Sequence, residues 1–322
     1  MFTSDQIQGK KVLLRADLDI DIPSQSEDID YRIQTLIPTL QACLEHASQV
    51  CLIGHRGRPN SYNADLNLQP VAEEIKRLIN REIKVFPSGY SPGEWWKGGD
   101  PLVLLDNLRF DKREENQDAG FAKELSKGAD IYIYEAFATY RPCTSLSLIP
   151  KQIPTLTGFQ FDKEVKVLGS LLGSGSKPSL LIGSGAKEDK RQILKTLRSK
   201  FDHVFFGGVF ANKNDLEPDG LDLNSHALVK LDSLINMSQT IVLNGPVGKY
   251  EDDSHSKGTK YLLEKLASLN SQKQTIIGGG DTLSAVEKLG FKYTQYGFVS
   301  TGGGGMLEFL ATGTHPLFSV LN

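Results

Sequence analysis

The sequence predicts an α/β protein of two domains, each built from a parallel sheet covered by helices. Strand-like apolar runs alternate with helix-like periods along the chain, which is the pattern of repeated βα units. The chain has 322 residues, a length for which two domains are the usual expectation. The alternation is interrupted by a proline-containing stretch at residues 141–154 and then restarts, which indicates a change of domain.

In the first half, strands are predicted at residues 11–15, 50–53, 103–105 and 131–133, with helices between them, the later two at 68–78 and 121–125. The first helix carries one apolar stripe, made by Ile33, Leu36, Ile37, Leu40 and Leu44. Pro38 has no N–H to donate within a helix. We therefore expect regular helix to begin near Thr35, which places Pro38 in its first turn.

In the second half, a helix at residues 161–172 is predicted to connect the domains. Strands then recur at residues 179–182, 204–206, 240–243, 275–277 and 298–300, and helices at 190–197, 261–266 and 306–310. Asp281 and Thr282 open one more helix, with Leu283, Val286 and Leu289 on one face. This second βα series predicts a second parallel sheet.

The composition excludes several classes of protein. The net charge is −3, which gives no reason to expect nucleic acid as a partner. We see no apolar signal region and no run of membrane-spanning length, so we expect a cytoplasmic protein that does not bind membranes. Cys43, Cys51 and Cys143 form no zinc or redox motif and suit a reducing compartment.

Basic residues follow the predicted strands of the first half, at Arg32, His55, Arg58, Arg109 and Arg141. Parallel strands end at one edge of a sheet, where α/β proteins bind ligands, and arginine suits the bidentate capture of phosphate and carboxylate. One exposed arginine is usually a solvated surface group, but this repetition predicts an anion site. Asp17 and Asp19 either orient ligand hydroxyls and arginines or are ordinary turn aspartates.

Glycines follow the strands of the second half. Gly278, Gly279 and Gly280 lead directly into a helix start, where free N–H groups and the helix dipole attract phosphate. Asp281 there either shares a cation with the phosphates or caps the helix. Paired glycines at 207–208 and an Asn-Gly-Pro-Val-Gly run at 244–248 end two further strands.

The segment GSGAKEDK at residues 183–190 supplies Lys187 and Lys190, which either hold a polyphosphate or are ordinary surface lysines. It has Glu188 where a dinucleotide fingerprint needs glycine, which argues against a nicotinamide-dependent dehydrogenase. Arginines in one half and glycines with lysines in the other predict two substrates, one on each domain, with a group passing between them.

The chain resembles the phosphoglycerate kinase family over nearly its whole length. The segments that carry the resemblance, in the family's order, are KKVLLRADLDI, GHRGRP, LLDNLRF, EAFATYR, GSGAKEDK, VLNGPVGKYE, IIGGGDT and VSTGGGG. The resemblance implies two αβα (Rossmann-like) domains facing a cleft and reversible phosphoryl transfer between ATP and 3-phosphoglycerate. It implies Mg²⁺ with ATP or ADP, a monomer, a phosphoglycerate-binding domain at 1–160 with the 313–322 tail packed on it, and a nucleotide-binding domain at 161–312.

The resemblance also implies roles for individual residues. Its phosphoglycerate side comprises Asp17, Asp19, Arg32, His55, Arg58, Arg109 and Arg141. Its nucleotide side comprises Lys187, Lys190, Gly208, Asn244, Glu251, Gly279, Gly280, Asp281 and Thr282. Arg32 and Lys187 are expected to flank the transferred group, with the helix start at Gly280 receiving it and Asp281 contacting the metal. The sequence leaves open which of Lys187 and Lys190 contacts the transferred phosphoryl group.

Departures from the family pattern affect both substrate sides. Asp19 stands where the family has asparagine, so its charge should weaken anion binding unless an arginine pairs with it; Arg56 is an added cation that could compensate. Residues 209–239 form a shortened stretch, which predicts either a loss of base selectivity or a compact pocket closed by Phe210, Leu216 or Leu221. These departures leave a second hypothesis, a non-catalytic relative that binds nucleotide or phosphoglycerate as a sensor or assembly partner.

Overall fold

The computed structural model describes residues 2–20, 30–172, 179–184 and 188–321. The chain forms two compact units, one of residues Met1–Val165 with His315–Asn322 and the other of residues Lys166–Thr314. Each unit contains its own sheet, and every strand pairing in both sheets is parallel among the described residues. The predicted α/β class with two parallel sheets is confirmed.

Helices and strands alternate along most of the first unit, beginning with a short helix. Its elements are α1 (Ser4–Ile7), β1 (Lys11–Arg15), α2 (Tyr31–His46), β2 (Gln49–Ile53), α3 (Gln69–Ile79), β3 (Lys84–Phe86), β4 (Leu102–Leu105), α4 (Ala119–Ser126), β5 (Ile131–Tyr134), α5 (Thr144–Ser147), β6 (Thr155–Thr157) and α6 (Phe159–Gly169). The described strands form one sheet in the order β3-β4-β2-β1-β5-β6. The boundary between the two units falls within α6.

The core of the first unit lies on both faces of this sheet. Strands β2, β4 and β5 are buried along their whole length, as expected of parallel strands covered by helices on both sides. Val12 and Leu14 of β1 pack in one apolar cluster with Ile33 and Leu40 of α2. Arg15, the last residue of β1, differs from these apolar core residues because its side chain is charged and yet has no exposed surface.

The prediction for the start of α2 is wrong. The helix begins at Tyr31, and Pro38 lies in its interior. The side chain of Asp30 caps it by accepting a hydrogen bond of 2.7 Å from the N–H of Arg32. The buried stripe that includes Ile33, Leu36 and Leu40 stabilises the helix against the sheet, and this packing outweighs the local cost of the proline.

The second unit repeats the pattern with β7 (Ser179–Gly183), α7 (Glu188–Leu197), β8 (His203–Phe206), α8 (Ser225–Met237), β9 (Thr240–Asn244), α9 (Lys257–Leu269), β10 (Gln274–Gly278), α10 (Gly280–Lys288), β11 (Phe298–Ser300) and α11 (Gly304–Thr312). Its described strands form a sheet in the order β11-β10-β9-β7-β8. Strands β7 and β9 are buried throughout, so the sheet centre is the core of this unit.

Several elements were not predicted from the sequence. Strands β3 and β6 have three residues each and are not fully buried, so they lack a long apolar run. Helix α5 lies in the stretch 141–154 that appeared aperiodic. Helix α8 lies in the shortened stretch, where Asn224 caps it by accepting from the N–H of Ala227.

Residues His315–Asn322 belong to the first unit and include α12 (Pro316–Leu321). His315, which precedes α12, has no exposed surface and lies 4.9 Å from the ring centre of Phe161 and 5.5 Å from that of Phe137. Burial lowers the pKa of His315 to about 4, so the ring is neutral and packs as an aromatic group. None of the helices in the described ranges combines the length and apolar character needed to cross a membrane.

Candidate active site

The predicted basic residues lie at the carboxyl edge of the first sheet. Strands β4, β2, β1 and β5 are consecutive neighbours and parallel, so the loops that follow them emerge side by side. Asp17 and Asp19 follow β1, His55 and Arg58 follow β2, Arg109 follows β4 and Arg141 follows β5. The sheet order therefore brings together residues that are far apart in sequence.

Arg32 is placed by the first turn of α2 and contacts the loop after β1. Its Nε atom lies 3.4 Å from Oδ2 of Asp17, and its Nη1 donates to the backbone oxygen of Asp19. Asp17 is buried, which raises the pKa of its carboxyl group, while the charge of Arg32 opposes that rise. Arg32 and Asp17 thus form a partly buried ion pair at the sheet edge.

Asp19 joins two strand-end loops. Its Oδ1 accepts a hydrogen bond of 2.7 Å from the N–H of Gly57, and its Oδ2 lies 3.9 Å from Nε2 of His55. The arginine that contacts Asp19 does so at the backbone oxygen, not at the carboxylate. The added charge of Asp19 is therefore present at the edge rather than neutralised by Arg32.

Arg56 has a structural role that differs from the expected compensation of Asp19. Its Nε donates to the backbone oxygen of Ile20 at 2.8 Å, and its Nη1 donates to that of Asp65 at 3.1 Å. These bonds tie the loop after β1 to the segment that precedes α3. The guanidinium stabilises the loops by contacting carbonyl oxygens.

His55 is buried, with 6% of its surface exposed, and contacts Arg15. Nη2 of Arg15 lies 2.6 Å from Nδ1 of His55. The pKa of His55 is lowered well below its usual range, first by burial and then by the charges of Arg15, Arg109, Arg32 and Arg58. His55 is therefore neutral near pH 7. Arg15 was not among the predicted site residues, although a cation ending an otherwise apolar strand was the signal that could have identified it.

The remaining arginines differ in how firmly they are held. Arg109 is half-buried, and its Nη1 donates to the backbone oxygen of Gly57 at 2.7 Å while Nε lies 3.5 Å from Glu115. Asn107 holds the same loops together, since its Oδ1 accepts from the N–H of Arg56 at 3.2 Å and its Nδ2 donates to the backbone oxygen of Arg56 at 2.6 Å. Arg58 and Arg141 are exposed.

The carboxyl edge of the second sheet is shaped by glycines. Gly279 precedes α10 with a φ of 104°, a conformation that side-chain-bearing residues rarely adopt. A Cβ on Gly303, in the loop after β11, would lie 3.2 Å from the Cα of Gly279. Gly303 is therefore constrained by the close approach of the two loops, and Gly279 by its positive φ. Gly280 and Asp281, in the first turn of α10, are exposed.

Thr282 lies beneath this turn. Its hydroxyl donates to the backbone oxygen of Gly278 at 2.9 Å and accepts from the N–H of Gly245 at 2.8 Å. Only 1% of its surface is exposed. Through its hydroxyl, Thr282 fixes the glycine turn and joins it to the loop after β9.

The other predicted nucleotide-side residues lie around the same edge. Asn244 ends β9, and its Nδ2 donates to the oxygen of Gly303 at 3.1 Å, while its buried Oδ1 has no hydrogen-bond partner among the described residues. A Cβ on Gly245 would lie 2.5 Å from the backbone oxygen of Ser184 and 3.0 Å from Nζ of Lys190, so this glycine allows the close approach of the loop after β7, with Lys190 nearby. Gly208 lies in the loop after β8 and has a φ of 55°, a conformation that favours glycine.

Glu251 and Lys187 are the remaining residues predicted on the nucleotide side. Glu251 is exposed, and its backbone oxygen accepts from Nζ of Lys288 in α10. Lys187 lies outside the described residues, so its position relative to Lys190 stays a prediction. In the part of the chain that the structure describes, no group of three or more His, Cys, Asp and Glu residues could hold a metal ion by itself.

Comparison with known proteins identifies the family. A family model described as phosphoglycerate kinase matches residues 3–215 and 212–313, and its two pieces meet inside the stretch predicted to be shortened. The phosphoglycerate kinase of Aquifex aeolicus is 32% identical over 377 aligned positions, which cover 95% of this chain and 94% of that protein. That of Moorella thermoacetica is 30% identical over 374 positions, which cover 95% and 94%.

Solved structures agree with the sequence comparison. Phosphoglycerate kinase from Coxiella burnetii matches with a TM-score of 0.78 and 25% identity over 98% of this chain and 96% of that one. The enzyme from Pyrococcus horikoshii OT3 has the same fold, with a TM-score of 0.84 at 22% identity over 100% and 98%. Because the family model and the curated relatives both cover nearly the whole sequence, the chain belongs to the phosphoglycerate kinase family.

Proposed function

We propose that this chain is an active phosphoglycerate kinase, which transfers a phosphoryl group reversibly between ATP and the carboxylate of 3-phosphoglycerate. The observation that carries the proposal is the pair of carboxyl edges, one bearing the cations around Arg32 and His55 and the other bearing the glycine turn at Gly279. The first unit would bind phosphoglycerate and the second the nucleotide. The proposal also rests on the chain's membership of a kinase family.

The acceptor needs no general base in this reaction. A carboxylate is already ionised near pH 7, so its oxygen attacks without losing a proton. The protein must instead bring two anions together and offset their charge. Arg32, Arg58, Arg109 and Arg141 would bind the phosphate and carboxylate of phosphoglycerate, and neutral His55 would contribute a hydrogen bond without a charge.

The nucleotide phosphates would lie on the start of α10. The exposed N–H groups of its first turn and the helix dipole favour negative charge there, and Lys190 adds a cation beside the loop after β9. Asp281 is the exposed carboxylate suited to a magnesium ion, since Mg²⁺ is commonly bound by one or two carboxylates together with substrate phosphates and water. When bound, Mg²⁺ would neutralise part of the phosphate charge.

In the transfer itself, the bond between the γ-phosphorus and the β,γ-bridging oxygen breaks as a carboxylate oxygen bonds to that phosphorus. Charge spreads over the equatorial oxygens of the transferred group. Arg32 and Lys187 would flank this group, and the N–H groups at Gly280 would receive the phosphate on the nucleotide side. All three stabilise charge, and no proton moves between protein and acceptor.

The alternative is a non-catalytic relative that binds nucleotide or phosphoglycerate as a sensor or assembly partner. The carboxylate of Asp19, which no arginine contacts among the described residues, and the shortened stretch at 209–239 favour it. A coupled assay with ATP, Mg²⁺ and 3-phosphoglycerate separates the two. Turnover that is lost in Arg32→Ala supports the kinase. No turnover in the unaltered chain, with binding of either substrate intact by calorimetry, supports the non-catalytic relative.

A further inference from the structure

Arg15 is a fully buried cation beside the proposed phosphoglycerate site. Its guanidinium donates from Nε to Oγ of Ser145 at 3.1 Å and from Nη1 to the backbone oxygen of Ala16. Its Nη2 lies 2.6 Å from Nδ1 of His55 and 3.5 Å from Oγ1 of Thr139. A guanidinium with no exposed surface and four polar contacts has one orientation.

A buried carboxylate anchors Arg15 through Ser145. Glu114 is 1% exposed; its Oε1 accepts from Oγ of Ser145 at 2.6 Å, and its Oε2 accepts from the N–H of Ser145 at 3.1 Å. The serine hydroxyl therefore accepts from Arg15 and donates to Glu114. The polar chain Glu114–Ser145–Arg15–His55 runs from the interior to the carboxyl edge of the sheet.

This contact decides where His55 carries its proton. Arginine is only a donor, so Nδ1 of His55 must be the acceptor and Nε2 must bear the hydrogen. A doubly protonated ring would set an N–H against the guanidinium N–H groups. Among the described residues, the cations that face the ring are Arg15, Arg109, Arg32 and Arg58, and an anion that faces it is Asp19, 3.9 Å from Nε2.

We propose that Arg15 is a positioning residue that fixes His55 as the neutral Nε2–H tautomer, so that His55 donates a hydrogen bond to an anionic oxygen of the acceptor substrate. The identity of that acceptor rests on the proposed function, whereas the tautomer does not. Arg15 contacts the substrate only through His55. Its cost of burial is offset by the buried carboxylate of Glu114.

The tautomer can be measured directly by long-range ¹⁵N–¹H correlation spectra of the His55 ring in the full chain, without substrate. We expect the neutral Nε2–H form throughout pH 5–8. A neutral Nδ1–H form, or a ring that is protonated at pH 6, would overturn the proposal. Because this measurement uses the unaltered chain, it does not depend on any variant folding.

The variant Arg15→Met removes the donor while keeping an apolar stem in the core. We expect the His55 ring to titrate closer to the ordinary value of about 6.5 and to populate both tautomers. Arg15→Lys restores a donor and should restore the Nε2–H form. If neither change alters the ring signals relative to the unaltered chain, Arg15 does not set the tautomer.

Kinetics give an independent readout. Arg15→Met should raise KM for 3-phosphoglycerate about threefold near pH 8, where the neutral ring is shared between two tautomers, and less near pH 6, where protonation restores Nε2–H. KM for ATP should stay unchanged, and Arg15→Lys should partly rescue the defect. Arg113→Met is the control, since the Arg113 side chain lies in the same unit and pairs with Asp111 and Glu124 rather than with His55. Equal losses in both methionine variants would refute a positioning role. An inactive unaltered chain with the expected tautomer would refute the proposed function alone.

Discussion

The Nε atom of Arg32 lies 3.4 Å from Oδ2 of Asp17, so the arginine proposed to act on the transferred group is oriented by a buried carboxylate. The pair links the start of α2 to the loop after β1. This ion pair orients the Arg32 guanidinium before any ligand binds. Less conformational entropy is then lost when the guanidinium stabilises the transition state.

Replacing Arg32 with alanine should lower kcat by about 10²-fold or more, the scale for removing one charge-stabilising group, and should raise KM for ATP much less. The same change should raise the pKa of Asp17 further, because in the unaltered chain the charge of Arg32 opposes the rise that burial causes. Steady-state kinetics and the titration of Asp17 by NMR check both effects. A near-normal kcat would limit Arg32 to substrate binding.

Asp19→Asn should strengthen the binding of 3-phosphoglycerate. Asparagine can still accept from the N–H of Gly57, so the change removes charge and keeps the loop contact. We expect KM for 3-phosphoglycerate to fall about fivefold, equivalent to about 1 kcal/mol, with kcat nearly constant. Asp65→Asn, an exposed carboxylate in the same unit, is the control. An unchanged or higher KM would show that the charge of Asp19 does not oppose the substrate.

Asp281→Ala should produce a defect that depends on magnesium. The exposed carboxylate begins α10 beside the proposed phosphate site, so its loss should raise KM for MgATP, and excess Mg²⁺ should partly restore activity. KM for 3-phosphoglycerate should change little. The control is Glu287→Gln on the same helix. Weaker phosphoglycerate binding with normal use of MgATP would contradict a role of Asp281 at the metal. Helix capping is not the alternative, since Gly279 is the N-cap residue and no side chain among the described residues caps α10.

The shortened stretch should relax base selectivity. Val209 and Leu221 are 63% and 40% exposed, and Phe210 lies against the guanidinium of Arg191, 4.9 Å from the ring centre. Apolar walls and base-edge hydrogen bonds are what distinguish one nucleobase from another. We expect GTP to support the reaction with kcat/KM within about tenfold of ATP, under about 1.4 kcal/mol of discrimination.

Matched magnesium concentrations are needed for this comparison of ATP with GTP. A preference of a hundredfold or more for ATP would show that the residues at 209–239 still recognise the base. Phe210→Ala then tests the compact-pocket alternative, because a loss of that preference would identify Phe210 as part of the wall.

Glu135 should make the stability of the first unit depend on pH. Its carboxylate accepts from the N–H groups of Phe161 at 2.9 Å and Gln160 at 3.0 Å and from the Thr39 hydroxyl at 2.5 Å. Burial nevertheless raises the pKa of Glu135 from its ordinary 4.5 to about 7. Between these values the native state binds more protons than the unfolded state, so stability falls as pH rises.

Denaturant unfolding followed by the fluorescence of Trp95 and Trp96, both in the first unit, should show this trend between pH 4.5 and 7. The contribution to the slope is at most about 1.4 kcal/mol per pH unit. Glu135→Gln should remove it, whereas Glu73→Gln on the surface of α3 should not. A slope that is unchanged in Glu135→Gln would assign the pH dependence to another group.

Helix α2 shows where local sequence rules fail. The sequence predicted a start near Thr35 because Pro38 cannot donate within a helix, yet the helix begins at Tyr31. The buried face of α2 against the sheet supplies more stabilisation than the proline removes. From the sequence, no element is predicted at residues 209–239, where the structure has helix α8 capped by Asn224.

The two parallel sheets, the strands whose ends carry cations or glycines, and the family are all predictable from the order of residues along the chain. Alternation of apolar runs is a local property, and it indicates that the loops after the strands of a parallel sheet share one edge. Tertiary structure alone decided that Arg15 is buried against His55, that Arg32 pairs with Asp17 and that the Thr282 hydroxyl fixes the glycine turn. These contacts join residues distant in sequence, and their geometry depends on sheet order and burial, which no local pattern encodes.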